Sequence, residues 1–166
     1  MDTARYSDGP CPVARALLRV GDAWSMMILR NASYGQTRFD QFQKGLAIAP
    51  NILTRRLAGL VEAGLLEKSR YCEHPPRDEY LLTARGRDFL PILAAIGAWG
   101  GRHFGEGALS HFIDATTGAA LDPVVVDRAT GRPFAGIDTR LVMPGEGDFE
   151  ANGIVRQPGH RDRTGI

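Results

Sequence analysis

Residues 49–70 read APNILTRRLAGLVEAGLLEKSR. At about 100° per residue, Leu53, Leu57, Leu60 and Val61 gather on one face of a helix, while Asn51 and Arg55 point nearly the opposite way, flanked by Thr54 and Arg56. Pro50 suits the first helical position, and Gly64 is placed to terminate the helix. Immediately afterwards the pattern changes to the alternation of a strand over Leu65 to Tyr71. One side of this helix packs, and the other is free to meet a partner.

Upstream, the spacing predicts three further helices. The first covers roughly Val13 to Val20, with Ala14, Leu17 and Leu18 at core spacing and Gly21 ending it. Asp22 caps a second running to about Asn31. Thr37 followed by Asp40 resembles a capping box that starts a short helix burying Phe39, Phe42 and Leu46. Downstream, Glu73-His74-Pro75-Pro76-Arg77 reads as a loop, because two prolines remove ladder donors, and Asp78 to Leu82 reads as a second strand. Thr83 caps a long helix with an apolar stripe of Phe89, Leu90, Leu93, Ile96 and Trp99, kinked near Pro91. The expected fold is mainly α with a small β wing, a winged helix-turn-helix over residues 1–104. Half of the 20 glycines lie in residues 105–166, and residues 105–142 carry two D-x-x-T-G turns, Asp114 to Gly118 and Asp127 to Gly131, which predict a small β-meander. Residues 143–166 lack periodicity and predict a flexible tail.

Composition narrows the class. An apolar share of 43% with 23% charged residues is that of a folded globular chain. The longest apolar run, FLPILAAIGAW, is too short to span a bilayer and contains Pro91 and Gly97, so no membrane partner is expected. The start of the chain lacks an export signal, and two cysteines make no disulfide framework; both favour a cytoplasmic location. The net charge of +1 divides unevenly: 14 Lys+Arg against 10 Asp+Glu in residues 1–104, 6 against 9 beyond. The helical part is the basic part, compatible with nucleic acid.

Helix, turn, helix and ribbon in that order give the outward face of residues 50–62 a purpose. A helix enters the major groove when one face packs on its own domain and the other offers donors to base edges and phosphates. Asn51, Thr54 and Arg55 are the candidates for base edges. His74 and Arg77 at the ribbon tip are candidates for phosphate or minor groove. Arg56 lies at the edge of the packed face, where an internal ion pair and a DNA contact fit equally. An enzyme is the rival reading, but the chain has no Walker loop, no nucleophile elbow, no metal-spaced histidine pair and no dinucleotide fingerprint. A small-molecule-binding or protein-interaction module on a vestigial DNA-binding fold is the second rival.

Several runs together resemble the HxlR-type winged helix-turn-helix transcriptional regulators of the MarR-like superfamily: Cys11-Pro12-Val13, Gly21-Asp22-Ala23-Trp24, Ile28-Leu29-Arg30, Thr37-Arg38-Phe39, Pro50 to Leu57, Glu62-Ala63-Gly64-Leu65 and Pro75-Pro76-Arg77-Asp78-Glu79-Tyr80. The resemblance covers about residues 11–104. It implies a homodimer on double-stranded DNA, with Thr37, Arg38 and Pro50 joining Asn51, Thr54, Arg55, Arg56, His74 and Arg77 as the candidate DNA-binding set. It also implies dimer contacts through the first and last helices, which nominates Leu17, Leu90, Leu93, Ile96 and Trp99; packing inside one domain is the alternative for that stripe. Cys11 before Pro12 matches the position some such regulators use to sense oxidants or electrophiles, and a helix start favours the thiolate; simple packing is the alternative. A small-molecule effector is equally compatible. Ala49 departs from the pattern, supplying no cap oxygen where Ser or Asp is common. The glycine-rich extension resembles a zinc ribbon whose cysteine positions read Thr117 and Thr130, so no metal and no cofactor are expected.

Overall fold

The computed structural model describes residues 9–142; the predicted tail, 143–166, lies outside the described residues. Four helices lead: α1 (Pro12–Val20), α2 (Ala23–Ser33), α3 (Phe39–Leu46) and α4 (Pro50–Glu62). An antiparallel ribbon follows, β1 (Leu66–Glu73) and β2 (Pro76–Leu82), and then α5 (Ala84–Asp88) and α6 (Leu90–Phe104). This is the expected helical domain with a β wing. Among the described residues no helix is long and apolar enough to cross a membrane.

The core forms where the inward faces meet. Ile28 and Leu29 of α2, Phe42 of α3, Leu53, Leu57 and Leu60 of α4, and Leu65 and Leu66 at the ribbon base are buried together with Val20 and Ile48. Each fully buried leucine contributes roughly 1.5–3 kcal/mol relative to exposure. Phe39, Leu46, Val61, Tyr80 and Leu82 pack around this centre half-buried.

Local chemistry sets the element ends. Helix α4 closes in a Schellman motif: the Leu65 amide donates to the Leu60 carbonyl at 2.9 Å, the Gly64 amide to Val61 at 2.9 Å, and Gly64 takes φ +69°. The α5 start is equally specific. Thr83 Oγ1 accepts from the Gly86 amide at 3.1 Å and donates to the Gly64 carbonyl at 2.7 Å, and a Cβ on the buried Gly86 would stand 2.1 Å from the Leu65 carbonyl oxygen. Only glycine lets α5 approach that closely.

Four expectations needed correction. Thr37 does not cap α3; Arg38 is the N-cap residue, and the Gln41 side chain accepts from both the Thr37 and Arg38 amides at 2.9 Å. The long last helix is two helices: Pro91 cannot donate to the turn before it, and the break falls at Phe89, with Pro91 in the first turn of α6. The ribbon reaches further than the prolines suggested, since Glu73 pairs with Pro76 and Cys72 with Arg77 around the tip His74-Pro75. In a two-stranded ribbon every strand is an edge, so a proline at the strand start costs little pairing. The expected meander is two separate turns, each closed by one bridge, Ile113 with Ala120 and Val126 with Pro133. The carboxylates of Asp114 and Asp127 accept amides at Thr116 and Thr130, and the hydroxyls of Thr117 and Thr130 accept the Ala119 and Arg132 amides at 3.3 Å. Side-chain oxygens thus close both turns where a zinc ribbon would use thiolates.

Candidate nucleic-acid interface

Helix α4 places its polar residues as its periodicity requires. Asn51, Thr54 and Arg55 are exposed, opposite the buried Leu53, Leu57 and Leu60. Arg55 has no hydrogen bond or ion pair among the described residues, so its whole guanidinium fork is open to a partner. The side chains near the helix start are engaged locally: Asn51 Oδ1 accepts the Ile52 amide at 2.9 Å, and Thr54 Oγ1 donates to the Pro50 carbonyl at 2.9 Å. Asn51 keeps its side-chain NH2 donors, and Ala49 contributes no cap.

Arg56 turns away from that face. Its Nε lies 3.1 Å from Asp22 Oδ1 without the alignment of a hydrogen bond, so charge attraction joins α4 to the start of α2. Asp22 also accepts the Ser25 amide at 3.0 Å and the Ser25 hydroxyl. Burial pushes the Asp22 carboxyl up, but the Ser25 hydrogen bonds and the Arg56 charge outweigh it and hold the carboxyl below its usual value. A lowered folded value means stability that is complete above about pH 4, the unfolded range, and is lost as pH falls through the folded value. Asp22→Ala is therefore expected to cost ~1 kcal/mol at neutral pH through the lost cap, with the gap to the parent narrowing in acid. Urea unfolding of both proteins at neutral and acid pH measures this, and a gap independent of pH would contradict it.

The ribbon adds a second surface beside α4. His74 and Arg77 are exposed at its tip, and Arg77 has no ion pair among the described residues. The basic residues nearer the base, absent from the candidate set, are paired with carboxylates: Asp78 holds Lys68 at 2.8 Å and Arg70 through its Nε, and Glu73 stands 3.6 Å from Arg70. Hydrogen bonds from Lys68 and Arg70 lower the Asp78 carboxyl, and the same bond raises the Lys68 ammonium. Their signal was cross-strand register, Arg70 opposite Asp78, which pairs opposite charges.

Thr37 and Arg38 act first as the hinge between α3 and the ribbon. The Tyr80 amide donates to the Thr37 carbonyl at 2.7 Å, and Arg38 bridges Glu79 as a one-residue third strand. The Arg38 guanidinium sits 4.4 Å from the Tyr71 ring centroid, at the bulge between Arg70 and Cys72. The exposed Arg38 side chain thus stands between α3 and the wing.

The nominated dimer residues divide. Leu93 packs half-buried against the domain's own core and Leu90 is half-buried, whereas Leu17, Ile96 and Trp99 are 53%, 42% and 52% exposed. Cys11 is an exposed free thiol at the N-cap of α1, and Cys72 is half-buried, its Sγ 3.6 Å from the His74 carbonyl.

Comparison with known proteins agrees with this geometry. An HTH-type transcriptional regulator of Mycobacterium bovis is 36% identical over 137 residues, covering 81% of this chain and 85% of the relative. One of Methanothermobacter thermautotrophicus is 36% identical over 91 residues, 54% of this chain and 70% of the relative. Among solved structures, PA1607, described as a candidate transcription factor, superposes with a TM-score of 0.75 at 39% identity, covering 82% of this chain and 97% of that one. The oxidised form of the redox regulator HypR superposes with a TM-score of 0.52 at 29% identity, covering 60% of this chain and all of the other. With buried leucines behind an open arginine on α4, a ribbon beside it, and a match to the HxlR-like helix-turn-helix over residues 19–107, the chain belongs to that family of helix-turn-helix proteins.

Proposed function

We propose that this chain is a sequence-specific transcriptional regulator, not an enzyme, that binds double-stranded DNA as a homodimer in the cytoplasm. The observation that carries the reading is Arg55, exposed and unpaired on α4 with its helix anchored from behind by three buried leucines. Asn51, Thr54 and Pro50 share its end of the helix, and His74 and Arg77 extend the surface along the wing; Thr37 and Arg38 lie between α3 and the wing. Arg56 serves the scaffold through Asp22. Selection of bound sequences from random duplex DNA, followed by a salt titration on the winner, tests this. A preferred sequence and a steep fall of affinity with salt are expected; equal binding of all duplexes would defeat it.

Two copies bring two recognition helices to one pseudo-palindrome. What supports this is that α1 and α6 leave Val13, Leu17, Ile92, Ile96, Trp99 and Phe104 exposed, large apolar side chains that a monomer leaves in water. Trp99→Glu with Leu17→Glu is expected to yield a folded monomer by sedimentation and to remove palindrome binding. A dimer that persists would move the interface elsewhere.

Cys11 supports a response to oxidants, since its thiol is exposed at the start of α1. Peroxide added to the binding assay is expected to release DNA from the parent but not from Cys11→Ser.

A further inference from the structure

Lys68, Arg70 and Asp78 share one face of the ribbon. Arg70 pairs across the ladder with Asp78, and Lys68 stands two residues earlier on β1, on the same side of the pleat. Each oxygen of the Asp78 carboxylate takes one cation: Oδ2 holds Lys68 Nζ at 2.8 Å and Oδ1 accepts from Arg70 Nε, while Glu73 stands 3.6 Å from the same guanidinium. Alternation along β2 sends Arg77 to the other face, out of that carboxylate's reach. The cations of the ribbon are thus divided into a held pair and an open one.

Charge and exposure decide what that pairing does. Between Leu66 and Leu82 the chain carries three cations against four carboxylates, a net charge of −1 before histidine is counted. The attraction of the ribbon for a polyanion therefore depends on which cations are free. The Lys68 and Arg70 side chains are 52% and 43% exposed, within reach of a partner, whereas that of Asp78 is 22% exposed and lies between them. Ion pairs this exposed contribute little to folding. A cation that meets a DNA phosphate, by contrast, releases a counterion and steepens the salt dependence of binding by about 0.9.

We propose that Asp78 sets the non-specific DNA affinity of this protein: its carboxylate occupies Lys68 and Arg70 in the place of a backbone phosphate, so the ribbon adds little sequence-independent attraction and discrimination is left to α4. A regulator meets a vast excess of unrelated duplex, and restraint of that attraction keeps it free to find its own site. The proposal rests on the reading of this chain as a DNA-binding regulator and deepens it. Asp78→Asn keeps the shape of the side chain and removes its charge, which frees both cations at once.

Affinity of the full chain for a random-sequence duplex, measured from about 50 to 200 mM salt, tests this. Asp78→Asn is expected to bind roughly ten-fold tighter at the low end, with a salt slope steeper by about one to two. A ribbon that merely frayed would bind more weakly, so a purely structural role of Asp78 does not give that result. Glu79→Gln removes the same charge one residue along, where no ion pair forms among the described residues, and is expected to stay within about two-fold of the parent because a lone exposed charge is largely screened. In a Lys68→Ala, Arg70→Ala background the gain from Asp78→Asn should vanish. Unchanged or weaker binding by Asp78→Asn overturns the proposal. So does an equal gain in Glu79→Gln, or a gain that survives without the two cations, since either reflects simple repulsion between carboxylate and DNA. Elution from heparin, a sulfated polyanion, separates the two readings. If the parent binds no duplex, the regulatory reading has failed; later elution of Asp78→Asn than of the parent and Glu79→Gln still supports the withholding of Lys68 and Arg70, and co-elution overturns it.

Discussion

Arg55→Ala is expected to lose roughly 5- to 150-fold in affinity for the selected DNA, the ~1–3 kcal/mol of one good base contact, and to relax preference at a single base position in each half-site. The side chain is exposed and unpaired, so its removal breaks nothing inside the protein, and thermal stability should stay within about 0.5 kcal/mol of the parent. Repeating the selection from random duplexes with the variant measures the effect. A uniform weakening across all sequences, with one unit less of salt dependence, would instead make Arg55 a backbone contact. No change at all would place the reading surface somewhere other than α4. Arg56→Ala provides the contrast: its partner is Asp22, so its effect should fall on stability before specificity.

Leu57→Ala is the opposite experiment. Leu57 is fully buried at the centre of the core, between Leu53 and Leu60 one turn to either side on the packed face of α4. Truncation is expected to cost ~2–5 kcal/mol, the transfer of the lost carbons plus the cavity they leave. Against a total stability of about 5–15 kcal/mol that is a large fraction, and the melting temperature of a domain this size should fall by ~10 °C or more. Calorimetric melting checks this. A drop of only a degree or two would mean that α4 is not anchored as described. Any loss of DNA binding in this variant should be recovered by measuring below its melting point, which separates anchoring from contact.

Much of this was legible in one dimension. The packed face of α4, its start at Pro50, the glycine that ends it and the change of period into the ribbon are local properties, and the structure has them where the spacing put them. The candidate site was legible in part for the same reason: the open face of a helix is the complement of its packed face. Where the reading went astray, the deciding partner was distant or competed locally. Thr37 had the composition of a cap, but Gln41 was better placed to take both amides, and the Thr37 carbonyl was claimed by Tyr80 from the ribbon. Pro75 and Pro76 looked like a loop because strand propensity ignores that an edge has spare donors.

The apolar stripe of the last helix shows the same division, since periodicity put Leu93 and Trp99 together while the fold packs the first, half-buried, against its own core and leaves the second outside. Sequence by itself determined which faces exist: helix and strand periods, caps and turns follow from side chains a few residues apart, and those distances are set by the covalent chain. Tertiary structure alone decided which faces are already satisfied. Arg56 is bound to Asp22, Lys68 and Arg70 are paired with Asp78 and Glu73, and Arg55 is left open. That choice depends on charges brought together from separate elements, and Coulomb attraction acts on distance in space, which residue spacing does not encode.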